Sequence, residues 1–228
     1  LAFVAGAINA GGFLAVQQYT SHMTGLVSTM ADDLVLGAYD LVLNAAGGLI
    51  SFLLGAACSA LMVNVARRRQ LHSEYALPLL LEAALLLCFG MLGARLSQIE
   101  GLFVPLTVML LCFIMGLQNA VITKLSHAEI RTTHLTGVIT DIGIELGKLM
   151  VWNGADTPAS ERVTANFSRL RILGSIAGSF FAGGLIGALG FKHLGYVSTV
   201  PLAVLLVALA LLPAVDDFKQ MLVRRTKR

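Results

Sequence analysis

Six apolar stretches dominate the chain, at about residues 1 to 18, 43 to 66, 76 to 95, 103 to 123, 170 to 190 and 197 to 214. Each is close to the roughly 20 residues that a helix needs to cross a bilayer. Inside lipid no water can satisfy a free N–H or C=O, so segments of this kind are restricted to helices, whose backbone hydrogen bonds are internal. The polar complement is too small for a water-soluble alternative. Of the 228 residues 57% are hydrophobic and 13% charged, where a soluble domain carries about 45–50% and about 25%. The same values exclude a disordered chain, which needs low hydropathy and high net charge. Leu1 opens directly in an apolar run without a charged segment before it, which reads as a span and not as a signal peptide.

Two further segments, about 24 to 38 and 134 to 152, are helical in pattern but carry acids. The distribution of Lys and Arg decides whether they cross, because basic residues concentrate on the cytoplasmic side of short loops. With six crossings and both termini inside, 14 of the 16 basic residues lie on one side, leaving Arg95 and Lys192 on the other. With eight crossings the same residues divide ten to six. The expectation is therefore six transmembrane helices in a bacterial inner (plasma) membrane, both termini cytoplasmic, with the two acidic segments re-entrant or interfacial. The formal charge of +3 comes without a basic face interleaved with aromatics, which excludes nucleic acid as a partner. Cys58, Cys88 and Cys112 all lie in apolar runs, where a thiol packs as a small hydrophobe.

The chain also repeats itself. Gly6-Ala7-Ile8-Asn9-Ala10 recurs as Gly116-Leu117-Gln118-Asn119-Ala120, and Thr20-Ser21-His22-Met23-Thr24-Gly25 recurs as Thr132-Thr133-His134-Leu135-Thr136-Gly137. Further on, Ser51-Phe52, Gly55 and Ala60-Leu61 match Ser179-Phe180, Gly183 and Ala188-Leu189, and Pro78 matches Pro201. The shared order of these matches implies a duplication. Each half then holds an odd number of spans, three, so the second half enters the membrane inverted with respect to the first. Inverted repeats are common in secondary transporters, whose sites lie near the midplane where interrupted helices meet. The expected organisation is one polytopic domain over 1–228: repeat one about 1–98, repeat two about 103–215, and a basic cytoplasmic tail at 216–228.

On the elements Gly6 to Ala10, Thr24-Gly25, Met115 to Ala120, Thr132-Thr133 to Thr136-Gly137 and Asp141, the whole chain resembles the YoaK-like family of uncharacterised bacterial six-helix inner-membrane proteins. The resemblance implies a topology and no substrate. The chain departs from the family pattern at Asn9, where Asp is usual, and at Leu26, where Asn usually follows Thr-Gly. Asn9 removes a titratable group from the first span.

Both copies of Thr-x-His-x-Thr-Gly follow a span and precede a helical pattern, which points to a break followed by a half-helix. Ser and Thr are good N-caps, and a helix start attracts negative charge. The candidate solute-binding residues are accordingly Thr20, His22, Thr24, Gly25, Thr132, His134, Thr136 and Gly137, with the buried amides Asn9, Gln118 and Asn119. The alternatives are helix caps at the bilayer surface for the first group and hydrogen-bonded glue between helices for the amides. His134, Asp141 and Glu145 share one helix face, as do His22, Thr29 and Asp33, with Asp32 beside them. Asp33, Asp141 and Glu145 are ion-coupling candidates if these segments dip into the membrane, and a solvated face if they lie flat. Glu82 is a fourth, about two turns inside its span with an apolar counterpart in the second half. Its alternative is to snorkel toward Arg67, Arg68 and Arg69. The four-residue spacings Gly143/Gly147, Gly174/Gly178 and Gly183/Gly187 are the pattern that lets helices approach closely.

P-loop, nucleophile-elbow and H-E-x-x-H signatures are absent. The reading is a non-enzymatic secondary transporter or facilitator of a small polar solute, an anion being one option, with no cofactor and no resident metal. Its partners are the lipid bilayer and the solute, with a homodimer allowed by the small-residue faces. The alternatives are a channel or non-catalytic scaffold and, third, a membrane-embedded metal enzyme built on His22 and His134 with neighbouring carboxylates.

Overall fold

A computed structural model of the protein describes residues 1–70, 73–96, 103–125, 135–154, 158 and 161–211. Thr132 and His134 lie outside the described residues. The described chain is all-helical: α1 Ala2–Val16, α2 Met23–Val35, α3 Tyr39–Arg68, α4 Ala76–Leu96, α5 Phe103–Leu125, α6 Leu135–Leu149 and α7 Phe167–Leu194. A 3-10 turn, Gly195–Ser198, leads into α8 over residues 199–211. Pro78, Pro105 and Pro201 each fall in the first turn of a helix, where the missing N–H would have had no intrahelical acceptor.

Among the described residues four stretches are long and apolar enough to cross a membrane: Tyr39–Arg68, Ala76–Ala94, Val104–Lys124 and Phe167–Leu211. The last holds two helices. Gly195 ends α7 at φ 62, a left-handed conformation that costs glycine little. A Cβ on Gly190 would lie 3.0 Å from the Ser198 hydroxyl, whereas eight residues of straight helix separate two residues by about 12 Å. The chain therefore doubles back at 195–198. α1, at 15 residues, is apolar but shorter than a full crossing. α2 and α6, with 13 and 15 residues, are shorter than a crossing too.

α1 packs along α7 and α3 along α5. Phe3, Ala7 and Gly11 meet Gly183, Gly187 and Phe191 in order, so α1 and α7 run parallel. Gly47 meets Met109, Gly55 meets Phe113 and Leu117, and Asn64 accepts from Lys124, so α3 and α5 are parallel as well. Gly90, near the end of α4, abuts Thr199 at the start of α8. Leu202, Ala203, Leu206 and Ala210 then share the main core with Ala76, Leu79, Ala83 and Leu86, so α8 runs back along α4. That core also draws on α1 and α5 through Val4, Ile8, Leu111 and Ile114. A smaller one joins Leu26 of α2 to Ala45 and Cys112.

The two parallel pairs meet through glycines in a matched way. A Cβ on Gly6 would overlap the Phe180 carbonyl oxygen, and one on Gly116 would overlap that of Phe52. Likewise Gly183 lies under the Phe3 carbonyl and Gly55 under that of Phe113. Every partner in one contact is the repeat counterpart of a partner in the other. The four-residue glycine spacings behave differently from the sequence expectation. Gly183 and Gly187 do pack, but a Cβ built on Gly143, Gly147, Gly174 or Gly178 would meet no other element within 4 Å among the described residues. Spacing identifies a small-residue face without identifying what lies opposite.

Candidate functional site

The first interrupted helix organises the site. α1 ends at Val16, with Gln17 left-handed at φ 54 and its N–H bonded to the Phe13 carbonyl. The chain then turns back so far that the Ser21 hydroxyl donates to Asn9 Oδ1 at 2.7 Å; twelve residues of straight helix would separate them by about 18 Å. Asn9 thus holds the returning strand of the break against the middle of its own helix. One turn further along α1, Phe13 stacks on Tyr19 with ring centroids 4.6 Å apart and planes at 20°.

The residues after the break open onto a cavity of about 660 Å³, within the range of small-molecule sites. One wall is Ser21 to Thr24. The facing wall climbs the last two turns of α5 through Asn119, Ala120, Thr123 and Lys124, and Phe52 and Ala56 of α3 with Thr136 of α6 complete the lining. Helix starts of both halves, Met23 to Thr24 and Thr136, therefore reach one chamber. The Thr123 hydroxyl is engaged with the Asn119 carbonyl at 2.8 Å. Lys124 Nζ reaches Asn64 Oδ1 at 3.5 Å.

Of the sequence candidates, His22, Thr24, Asn119 and Thr136 line this cavity, and Asn9 touches it through Ser21. Gln118 does not, although it neighbours Asn119. Successive helical residues point about 100° apart, and Gln118 is wholly buried with neither amide atom partnered among the described residues. Thr20 is likewise buried, its hydroxyl without a partner among the described residues and close to Gly12. The expected hydroxyl cap is not found on α2: His22 occupies its N-cap and no side chain closes it. Gly25 lies in the first turn of α2. A Cβ there would come to 2.6 Å from His22 Nδ1, so its absence makes room for the imidazole over that turn. Gly137 lies in the first turn of α6. Sequence reasoning missed Lys124, Thr123, Phe52 and Ser21 as lining. The spacing of Thr123 and Lys124 one turn beyond Asn119 was the available signal.

The acids separate into three environments. Asp32 is exposed and Asp33 half-buried on α2. In the second half Asp141 pairs with Arg169 at 3.0 Å, and buried Glu145 accepts from Lys148 at 2.8 Å and from the Asn166 backbone N–H at 2.8 Å. Asn166 in turn caps α7 through the Arg169 N–H. These contacts tie α6 to the start of α7. Glu82 stands apart: it is fully buried and neither carboxyl oxygen has a partner among the described residues. It does not snorkel to the arginines, and Arg67 is bonded to Glu74 and Tyr75 instead. Among the described residues no three His, Cys, Asp or Glu side chains gather as metal ligands would. His193 lies in the last turn of α7.

The Lys148 hydrogen bond, and after it the Asn166 N–H, hold the Glu145 carboxyl below its ordinary value of 4.5. A carboxyl with a lowered folded value stabilises above its unfolded value and loses that contribution as pH falls through the folded one. Amide protection in the first turn of α7, relative to the intrinsic exchange rate at each pH, is therefore expected to fall as pH drops below about 4.5. Glu145→Gln is expected to show fast exchange at neutral pH and no such step. An unchanged step in that variant would assign it to another group.

Residues 1–212 match the family described as a protein of unknown function, DUF1275. The UPF0700 transmembrane protein YoaK of Bacillus subtilis (strain 168) is 29% identical over 145 residues, 62% of this chain and 62% of that protein. The match thus spans less than two thirds of the relative's length. No solved structure matches.

Proposed function

Starting from a chain that belongs to the DUF1275 family, we propose a secondary transporter or facilitator of a small polar solute, built as an inverted three-plus-three repeat with six crossings. The observation that carries this reading is the cavity shared by the first break and by α5 and α6 of the second half. Transporter sites form where interrupted helices from two repeats converge, and His22, Thr24, Asn119 and Thr136 converge there. The inverted arrangement is supported by the exchange-related packing of α1 on α7 and of α5 on α3. It also accounts for parallel partners within those pairs and for the opposed α4 and α8.

A cavity open to one membrane face at a time would suit alternating access. In the repeat alignment Thr123 and Lys124 correspond to Phe13 and Leu14. Thr123 and Lys124 line the cavity, and at the equivalent position of the other half Phe13 stacks on Tyr19. The Lys124 end adjoins Asn64 and the Arg67 to Arg69 cluster, and by the positive-inside rule it would be cytoplasmic in the inner membrane. Rocking of one repeat against the other would exchange the two ends. No catalytic step is assigned.

Uptake of labelled small acids, amino acids and polyols into proteoliposomes tests the reading. At least one compound is expected to show saturable uptake, reduced by about tenfold or more in His22→Ala and Asn119→Ala, the size of effect that loss of one or two buried polar contacts produces. Unsaturable flux would identify a channel, and absence of any flux would overturn the proposal.

A further inference from the structure

We propose that the solute is an amphipathic organic anion, a carboxylate with an apolar tail, whose charge sits at Lys124 and His22 and whose tail lies on Phe52 and Ala56. This rests on the cavity being the solute site. The lining contains one ammonium and one imidazole, and among the described residues it contains no Asp or Glu. The acids nearest in kind are committed elsewhere, Glu74 to Arg67, Asp141 to Arg169 and Glu145 to Lys148. Lys124 meets a neutral amide, Asn64, at 3.5 Å.

A cation lining a cavity that, among the described residues, holds no carboxylate attracts a mobile anion. Asn119 and the Thr24 and Thr136 hydroxyls add neutral polar groups around the same chamber. Ser21 and Thr123 donate their hydroxyl protons to Asn9 and to the Asn119 carbonyl, and the other four lining residues, Met23, Phe52, Ala56 and Ala120, are apolar. An inorganic ion would leave the apolar part of a 660 Å³ space with nothing to contact. A solute with both characters fills it.

Three probes of nearly equal size and different charge decide the matter: hexanoate, hexanamide and hexylammonium, with acetate as a tail-less control. Thermal unfolding of the full chain in detergent is followed against each over a range of concentrations, since a ligand of the native state at free concentration L stabilises it by RT ln(1 + L/Kd). Hexanoate is expected to bind about tenfold or more tightly than either hexanamide or acetate, with hexylammonium giving no shift. Lys124→Gln should weaken hexanoate by about tenfold while leaving hexanamide unchanged, and Lys124→Arg should retain hexanoate binding to within about threefold. Equal binding of hexanamide or hexylammonium, no binding of hexanoate, or an indifferent Lys124→Gln overturns the proposal. Its failure and that of the transport reading are separable. Saturable uptake of a neutral solute, lost in Asn119→Ala, would leave transport standing without the anion. Hexanoate binding that requires Lys124, in vesicles showing no flux of any compound, would leave an anion site without transport.

Discussion

Gly116→Leu is expected to leave little or no monodisperse protein after detergent extraction, and Gly6→Leu to do the same. At both positions the first side-chain atom would occupy the space of a backbone carbonyl oxygen, that of Phe52 for Gly116 and that of Phe180 for Gly6. A flexible side chain can swing away from an intruding methyl group, but a carbonyl inside a helix cannot move without carrying the helix with it. The helices must separate, and separation undoes the contacts along the whole pair. For the smaller change to Ala, overpacking of this kind costs about 1–3 kcal/mol, and Gly55→Ala and Gly183→Ala belong to the same class, under the Phe113 and Phe3 carbonyls. Gly174→Ala and Gly178→Ala are the controls. Among the described residues no other element lies within 4 Å of a Cβ at either position, so they should be neutral or gain up to about 1 kcal/mol in helix propensity. Thermal unfolding across the six Ala variants measures this. A repeat that packs by exchange also requires similar losses at Gly6 and Gly116, and a loss at only one of them would argue against equivalent pairs.

Much of this architecture is legible in the sequence because lipid enforces it. The apolar runs at 43 to 66, 76 to 95 and 103 to 123 become α3, α4 and α5 with ends shifted by a few residues, and the acidic segments become the short helices α2 and α6. The break at Thr20 to Gly25 is legible because Gly and hydroxyl residues interrupt an apolar pattern. What lies across a helix interface is not. Gly143 and Gly183 look alike as members of a four-residue spacing, yet only Gly183 meets a backbone. Gln118 and Asn119 look alike as buried amides, yet one helical step turns the first into the core and the second into the cavity. The roles of Phe13 and Tyr19 depend on the chain folding back on α1, a reversal set by Gln17 and the Ser21 bond to Asn9 and not by any periodicity.

Glu82→Leu is expected to raise stability and to abolish stimulation of uptake by a proton gradient. Glu82 lies on the buried face of α4 with Leu79, Ala83 and Leu86, fully inaccessible, and neither carboxyl oxygen has a partner among the described residues. Burying a polar group without a hydrogen bond costs about 1–3 kcal/mol by mutational measure, and the second half does without it, since alignment on Pro78 and Pro201 puts Leu205 at the equivalent position. Leucine of similar length should recover that cost, seen as a higher melting temperature. Glu82→Gln, which keeps the polarity, should recover little of it. A destabilising group retained in a span is a functional candidate by default. If Glu82 carries the proton that drives the solute, both variants should lose the stimulation of uptake by an imposed proton gradient while still exchanging solute across the membrane. The two readouts guard each other, because a residue kept only for packing would make Glu82→Leu less stable. A drop in melting temperature would mean that Glu82 has a partner in the folded protein and would remove the argument for coupling.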